Sequence, residues 1–274
     1  MTASTVIKWH GGKAYLADWI ISHFPPHLHY VEPFFGGGSV LFAKPPAWVE
    51  GHSEVVCDLH GELINFWQVL QSEAWFLEFQ RMVEATPFSE KLFKECESWA
   101  GDVTAPEPQR AWNFFVRCRQ SMAGRFASFA PLTRNRVRRG MNEQASAWWS
   151  AVEGLPEVHA RLGRVVVLQA NRACHTILQQ DGPNTLFYLD PPYLHATRST
   201  TGEYAHEMSD EEHTAFLGLL AGIKGKFILS GYPSELYSKV AKRVGWNCVS
   251  REIDNKAASG KSKAKKTECL WMNF

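Results

Sequence analysis

The stretch Asp190-Pro191-Pro192-Tyr193 closes the apolar run TLFYLD, and its residue types suit chemistry on a flat ring that carries an amine. Because proline cannot donate to a β-ladder, the strand predicted over 185–190 must stop at Asp190. The aspartate and the carbonyl between the prolines can each accept a hydrogen bond from an exocyclic amino group, and Tyr193 can stack on the ring. The tetrapeptide therefore predicts a slot for a base taken out of its duplex. A structural turn with a capping aspartate is the simpler alternative.

A glycine-rich turn, FGGGS, follows the predicted strand LHYVEPF over 28–34. Asp58 comes 20 residues after Gly38, at the end of the predicted strand SEVVCD. An acid in that place binds ribose hydroxyls in nucleoside-binding sheets. The turn is not a GxGxxG sequence, and Glu32 stands where it would repel a pyrophosphate. These residues favour a nucleoside without phosphates over a dinucleotide.

A third motif, Lys8-Trp9-His10-Gly11-Gly12-Lys13, lies near the start of the chain. A tryptophan beside glycines and a lysine could cover an adenosine and meet a carboxylate. Taken alone, the motif fits a core tryptophan with a surface lysine, and His10 fits an ordinary turn residue.

The elements that must position these residues alternate between strand and helix, which indicates an α/β fold with parallel pairing. The last two strands, WNCVSRE and ECLWMNF, are predicted to form an antiparallel hairpin around a lysine-rich loop. Residues 73–162 break the alternation with a helical, tryptophan- and arginine-rich pattern. We predict a catalytic domain over 1–72 and 163–274 with an inserted helical subdomain at 73–162, and a mobile loop at 195–208.

Charge is distributed unevenly although the formal net charge is only +1. Residues 108–142 hold eight arginines and no acid, and residues 255–267 hold five lysines and no acid. These segments carry +13 together, so the rest of the chain carries −12. The asymmetry predicts a polyanionic partner; solvated surface charge is the alternative.

The cysteines and the apolar runs indicate a soluble cytoplasmic protein. The six cysteines form no CxxC pair, which favours reduced, buried thiols over a zinc site, and no metal is expected. No apolar run reaches the roughly 18 residues of a membrane span, and the first residues lack a signal-peptide pattern.

Taken in order, KWxGGK, VEPFxGGG, an aspartate ending the next strand, YxDPPY and the closing KKTECLWMNF resemble the Dam-type (D12 class) DNA adenine N6-methyltransferases. Residues 112–129 also resemble the start of that family's DNA-reading subdomain. The resemblance implies a Rossmann-like S-adenosylmethionine-dependent methyltransferase sheet, with a helical DNA-recognition insert and a C-terminal β-hairpin. It implies methyl transfer to adenine N6 in double-stranded DNA after base flipping. A monomer is the expected state.

The resemblance also assigns roles to residues. The catalytic residues would be Asp190, Pro191, Pro192 and Tyr193. The S-adenosylmethionine contacts would come from Trp9, Lys13, Glu32, Phe35, Gly36, Asp58 and Asp190. DNA contacts are predicted, partly from the charge pattern, for Arg117, Arg119, Arg125, Arg134, Arg136, Arg138, Lys261, Lys263 and Lys265. Two positions depart from the family: His60 replaces a frequent asparagine, and His10 replaces the usual alanine.

The expected chemistry is direct, in-line methyl transfer to an amine aligned by Asp190 and the Pro191 carbonyl, without a metal. Several alternatives stay open or are disfavoured by particular residues. Cytosine N4 enzymes tend to carry serine in place of the aspartate, whereas methylation of adenine in RNA is excluded by no residue. A catalytically inactive DNA-binding regulator with this fold is disfavoured by the intact motifs. A dinucleotide oxidoreductase is disfavoured by the missing phosphate-binding pattern.

Overall fold

The computed structural model describes residues 3–46, 50–98, 103–197, 207–254 and 265–274. The described strands are β1 His29–Glu32, β2 Ser53–Val56, β3 Val137–Arg138, β4 Met141–Asn142, β5 Val166–Val167, β6 Thr185–Leu189, β7 Lys226–Gly231, β8 Asn247–Asp254 and β9 Lys265–Met272. The described α-helices are α1 Ala17–Ile21, α2 Ser39–Ala43, α3 Gly61–Gln71, α4 Glu73–Glu84, α5 Glu90–Ser98, α6 Glu107–Gln120, α7 Glu143–Leu162, α8 Ala173–Gln180, α9 Asp210–Leu220 and α10 Glu235–Val244.

The chain forms two compact units that alternate along the sequence. The first unit comprises Met1–Ser22, Gly36–Trp48 and His60–Ala170, and the second comprises His23–Phe35, Val49–Leu59 and Asn171–Phe274. The predicted division into a catalytic domain over 1–72 and 163–274 and an inserted DNA-recognition subdomain over 73–162 stays a prediction.

The second unit contains a mixed sheet whose strands lie in the order β2-β1-β6-β7-β9-β8. The first four of these strands are parallel, and β9 pairs antiparallel with both β7 and β8. Every residue of β6 is buried, as expected of a central parallel strand that is covered on both faces. The parallel sheet and the C-terminal hairpin predicted from the sequence are confirmed.

Local sequence signals explain where two helices of the second unit, α9 and α10, begin. The Ser209 side chain accepts from the Glu212 backbone N–H, and the Glu212 side chain accepts from the Ser209 N–H, which makes a capping box for α9. Ser234 caps α10 by accepting from the Tyr237 backbone N–H. The starts of both helices therefore follow from residues within a few positions of the cap.

The first unit is built around α3, which packs against α6 and α7. The rings of Phe66 and Phe115 stack with centroids 5.8 Å apart, and Trp148 packs on Phe115 at 5.2 Å. Aromatic burial of this kind supplies much of the apolar area of a helical core. The helical pattern predicted for 73–162 is confirmed over α4, α5, α6 and α7, but residues 121–142 form no α-helix, and within them β3 and β4 form a two-stranded ribbon.

One predicted strand is much shorter than the sequence indicated. The run RVVVLQA over 164–170 predicted a full strand, but β5 holds only Val166 and Val167. Val166 is 52% exposed, so the apolar run is not sandwiched between two layers and has little packing to extend it. Among the described residues, no helix combines the length and the apolar character needed to cross a membrane.

Candidate active site

Three acidic residues follow the carboxyl ends of neighbouring strands in the second unit. Glu32 ends β1, Asp58 follows β2 by two residues, and Asp190 comes directly after β6. Since β2, β1 and β6 are adjacent and parallel, these ends lie along one edge of the sheet. Open α/β sheets bind their ligands at this edge.

Glu32 is the most enclosed of the three acids. It is 2% exposed, and the Tyr30 hydroxyl donates to its Oε1 at 2.6 Å. Burial, and then the charge of Glu32, raise the pKa of Tyr30 well above its usual value, so the phenol keeps its proton and stays a donor. The carboxylate is thereby fixed in orientation at the end of β1.

The turn after β1 continues the pairing with the chain after β2. The backbone N–H of Cys57 donates to the Glu32 carbonyl at 3.0 Å, and that of Phe35 donates to the Cys57 carbonyl at 3.0 Å. Asp58 comes next and is half-buried, and its carbonyl accepts from the Asn171 backbone N–H at 3.1 Å. Phe35, the first residue of the glycine-rich turn, is therefore held beside the residue that precedes the predicted ribose-binding acid.

The D-P-P-Y turn sits where the sequence predicted it. Asp190 is half-buried, Pro191 is buried, and the Tyr193 ring is 7% exposed. The Tyr193 hydroxyl donates to Oε1 of Glu268, on β9. Its ring meets Tyr232 edge to face, with centroids 4.6 Å apart.

Asp190 lies among three tyrosines of the second unit, Tyr188, Tyr193 and Tyr237. Burial is the main cause that raises the pKa of each phenol, and the charge of Asp190 raises it further. The phenols therefore stay protonated at neutral pH. A cluster of perturbed titratable groups at a sheet edge is typical of a functional site.

In the first unit, the Trp9 indole is enclosed by aromatic rings. His60 meets it edge to face at 5.8 Å, and the centroids of Phe114 and Phe126 lie 6.2 Å and 6.5 Å away. Gly36 has φ +48°, and a Cβ there would lie 2.7 Å from Trp9 Nε1. Glycine is thus required at position 36 both by the left-handed backbone and by the close approach of the indole.

Lys13 and His60 have local partners within the first unit. The Lys13 ammonium is buried and donates to the Gly11 carbonyl at 2.8 Å. His60 is the N-cap of α3, and its Nδ1 accepts from the Leu63 backbone N–H at 3.2 Å. A histidine therefore does at this position what an asparagine side chain does at many helix starts.

Arg117 and Arg119 of α6 are half-buried and contact other residues of the first unit. The Arg119 guanidinium donates to the Ala147 carbonyl, and burial lowers its pKa from the usual value. The Arg117 guanidinium lies 5.5 Å from the centre of the Phe126 ring. Arg125, just beyond α6, is exposed. The DNA contacts predicted for these three residues stay predictions.

The ribbon formed by β3 and β4 carries the exposed arginines. Its turn is Arg139-Gly140, with φ of 57° and 73°, which is typical of a two-residue hairpin. Arg136 pairs with Glu143, and Arg139 makes a two-pronged pair with Glu153 at 2.9 Å and 2.7 Å. Arg134 and Arg138 form no ion pair with an acid in the part of the chain that the structure describes.

The lysine-rich loop lies largely outside the described residues, and so do Lys261, Lys263 and most of the loop predicted at 195–208. Lys265, the first residue of β9, donates to Glu252 Oε2 at 2.7 Å. Across the described ranges, no group of three or more histidine, cysteine, aspartate or glutamate side chains is arranged to hold a metal.

Motif order and sheet geometry agree with one protein family. The profile of the D12 class N6 adenine-specific DNA methyltransferases matches residues 9–124 and 142–251. The chain belongs to this class. The D12 match begins at Trp9 and includes the glycine-rich turn, Asp58 and the whole D-P-P-Y turn.

Individual relatives show the same relationship. The DNA N-6-adenine-methyltransferase of Escherichia phage P1 is 26% identical over 258 residues, which is 88% of this chain and 32% of the relative. The DNA adenine methylase of Serratia marcescens is 23% identical over 248 residues, 84% of each protein. That of Vibrio cholerae is 36% identical over 67 residues, 24% of this chain and 22% of the relative. The chain thus spans about a third of the length of the phage P1 relative.

Sequence reasoning missed several residues that the structure places beside the predicted ones. Glu268 and Tyr232 both contact Tyr193. Lys8 links the motif around Trp9 to α6 and α7. One signal was present for Glu268: a carboxylate inside the apolar strand TECLWM is unusual, since glutamate is rarely buried unless it is paired.

Proposed function

We propose that this D12 class protein transfers a methyl group from S-adenosylmethionine to the N6 amino group of adenine in duplex DNA. One observation carries the proposal: the adjacent ends of β1, β2 and β6 gather Glu32, Asp58 and Asp190 beside Tyr193. Acceptors for an amine and for ribose hydroxyls thus share one sheet edge in a chain whose family acts on adenine N6.

The methyl donor fits the acceptor groups of this edge. Asp58 is half-buried at the end of the strand next to β1, where a carboxylate accepts from both hydroxyls of a ribose. Glu32 offers a fixed carboxylate to the cationic amino-acid end. Phe35, whose backbone N–H donates to the Cys57 carbonyl, is assigned as a further contact by family resemblance. S-adenosylmethionine, when bound, supplies a methyl group already activated on a sulfonium. We assign further contacts to Trp9, Lys13 and Gly36 by family resemblance.

The D-P-P-Y turn orients the accepting amine. The Asp190 carboxylate and the Pro191 carbonyl each accept one N6–H, which favours a pyramidal nitrogen with its lone pair free. The stiffness of Pro191 and Pro192 keeps the two acceptors at a fixed separation. Alignment of this kind is the main contribution that a protein makes to a transfer between activated groups.

The target adenine must leave the duplex to reach the turn, and unstacking it costs a few kcal/mol. Contacts with the DNA backbone offset that cost. The exposed arginines of the β3–β4 ribbon and the lysine-rich segment after β8 are the candidates, and residues 73–162 carry the sequence readout. We infer a cytoplasmic monomer that acts on one strand at a time.

The test is methyl transfer from labelled S-adenosylmethionine to unmodified duplex DNA and to RNA, followed by digestion to nucleosides and mass spectrometry. We expect N6-methyladenine in the DNA, and single-molecule mapping of the product then gives the recognition sequence. Label found only in RNA would overturn the DNA substrate. Binding of S-adenosylmethionine without any transfer would favour the inactive regulator.

Asp190→Asn is the variant that tests the acceptor role. It keeps the shape of the side chain but replaces one acceptor oxygen with a donor. We expect turnover to fall by at least about 100-fold, while S-adenosylmethionine still binds measurably in calorimetry. Turnover above a few percent of wild type would contradict the role.

A further inference from the structure

A buried carboxylate in β9 has no assignment in the proposed reaction. Glu268 is 1% exposed and lies in an apolar strand, between Thr267 and the buried Cys269. An ionisable group at such a place lowers stability unless a strong hydrogen bond compensates. Its position is therefore informative, because an apolar residue would pack there more favourably.

Glu268 accepts a hydrogen bond from the hydroxyl of Tyr193, the aromatic residue of the D-P-P-Y turn. Tyr193 keeps its phenolic proton, since burial and nearby carboxylates raise its pKa well above the usual value. The ring also meets Tyr232 in a T-shaped contact, at a centroid distance of 4.6 Å. A ring held both at its hydroxyl and by a second ring is restricted in its orientation relative to the turn.

The same strand also contacts Tyr232. The Lys266 ammonium lies 4.7 Å from the centre of the Tyr232 ring. Lys266 and Glu268 are two residues apart in β9, so their side chains leave the strand on the same face. One strand thus brings a carboxylate to the first tyrosine and a cation to the second.

We propose that Glu268 is a positioning residue for methyl transfer, which holds the Tyr193 ring in the plane where it stacks on the target adenine. This inference rests on the proposed function. Without the carboxylate the ring can rotate about its side-chain bonds, and the adenine above it loses its alignment with Asp190. The methyl donor is held by other residues, so the loss falls on turnover and not on donor binding.

The experiment compares four test variants and one control variant with wild type in steady-state methyl transfer to unmethylated plasmid DNA. Glu268→Ala removes the acceptor, and Glu268→Gln keeps a carbonyl oxygen in its place. Tyr193→Phe removes the donor but keeps the ring. The double variant Tyr193→Phe/Glu268→Ala tests whether the two residues act as one unit. Glu54→Ala, which removes a carboxylate that is 3% exposed on β2, is the control for losing a buried acid.

We expect Glu268→Ala and Tyr193→Phe each to lower kcat by about 10-fold or more, with the KM for S-adenosylmethionine unchanged. Glu268→Gln keeps kcat within about threefold, and the double variant is no worse than the poorer single one. Glu54→Ala loses stability but keeps its kcat per folded molecule. Circular dichroism gives the folded fraction by which the measured rate is divided.

Three results would overturn the inference: a kcat in Glu268→Ala close to wild type, a Glu268→Gln as impaired as Glu268→Ala, or additive losses in the double variant. If Glu268→Ala does not fold, Tyr193→Phe is the deciding variant, because it preserves the shape of the core. An unchanged kcat in Tyr193→Phe would also overturn the inference. Failure of the proposed function is seen separately, as absence of transfer by the wild-type protein.

Discussion

At the scale of single residues, the environment of each acid suits it to a different task. Glu32 is enclosed and already hydrogen-bonded by Tyr30, so it presents a fixed charge. Asp58 and Asp190 are half-buried, and their side chains keep access to a ligand. Asp58 and Asp190 must therefore give up more water than Glu32 does when a ligand binds at this edge of the sheet.

Gly124 provides a residue-scale test of close packing in the first unit. A Cβ at this position would lie well inside contact distance of the Lys8 carbonyl oxygen, and the backbone has φ +72°. Gly140 has nearly the same φ, +73°, but a Cβ added there would meet nothing within 4 Å. Both alanine variants carry the left-handed strain, but only Gly124→Ala must also displace backbone.

We therefore expect Gly124→Ala to lower the free energy of unfolding by at least about 2 kcal/mol more than Gly140→Ala does. Urea unfolding of the two variants beside wild type measures this difference. Equal losses in the two variants would mean that the segment 121–126 does not pack closely on Lys8.

At the scale of elements, the segment after α6 is unusually constrained. Ala123 and Phe126 both have positive φ, 56° and 62°, which is rare for residues other than glycine. Phe126 nevertheless packs on Phe114 at 5.3 Å and lies beneath the Arg117 guanidinium. Strained backbone that is held by surrounding contacts often marks a functional segment, and here it adjoins the aromatic enclosure of Trp9.

Lys8 ties this segment to two helices. Its ammonium donates to the Arg119 carbonyl at 3.1 Å, and to Gln144 Oε1 at 3.3 Å. Burial, followed by the charge of Arg119, lowers the pKa of Lys8 from 10.5 to about 8. Between these two values the unfolded chain binds more protons at Lys8 than the folded protein does, so this group's contribution to stability rises with pH.

The stability of wild type relative to Lys8→Met should accordingly increase as the pH is raised from about 8 to about 10, by on the order of 1 kcal/mol because Lys8 is not fully buried. Urea titrations of both proteins at several pH values measure the difference. Lys91→Met, which removes a lysine whose side chain is 88% exposed on α5, is the control for loss of one charge. Parallel curves for wild type and Lys8→Met would contradict the lowered pKa.

The β3–β4 ribbon gives a prediction about DNA. Arg134 and Arg138 have no acidic partner in the described part of the chain, whereas Arg139 is neutralised by Glu153. Each of Arg134→Ala and Arg138→Ala should reduce the slope of log affinity against log salt by about one, through loss of one phosphate contact. Arg139→Ala makes the same change in net charge and should leave the slope nearly unaltered. Fluorescence anisotropy with a labelled duplex measures the slopes; three equal slopes would place the phosphate contacts elsewhere.

How far the sequence predicts these elements depends on whether the deciding interactions are local. The end of β6 at Leu189, the cap of α9 and the turn at Arg139 follow from proline, serine and glycine chemistry within a few residues. By contrast, Arg119 donates to a carbonyl in α7 and Tyr193 donates to a carboxylate in β9, and both partners are distant in sequence. The strand predicted over 164–170 was too long for the same reason, because the exposure of Val166 is set by tertiary packing.

At the scale of the whole molecule, charge separation is the dominant feature of the sequence. Two basic segments carry +13 against −12 for the remainder. The acidic remainder repels DNA, whereas the two basic segments attract it, so association should depend strongly on salt.

We expect affinity for a mixed-sequence duplex to fall by at least about 100-fold between about 50 and 200 mM salt, as for proteins with several phosphate contacts. Affinity for S-adenosylmethionine should change by less than about threefold over the same range, because few charges are exchanged. Anisotropy and calorimetry give the two affinities. A duplex affinity that is insensitive to salt would contradict the prediction that the basic segments bind DNA phosphates.

The order in which the strands occur along the chain has a consequence for how the protein is made. On a ribosome β1 and β2 emerge early, but β6, which pairs with β1, follows only after the whole 60–170 segment. β9 is the last described strand, yet it lies between β7 and β8. A nascent chain therefore keeps the edge of β7 that pairs with β9 open until β9 has been synthesised. Until then the unpaired edge of β7 can pair with strands of other chains, so the interval before β9 forms is the one in which aggregation is favoured.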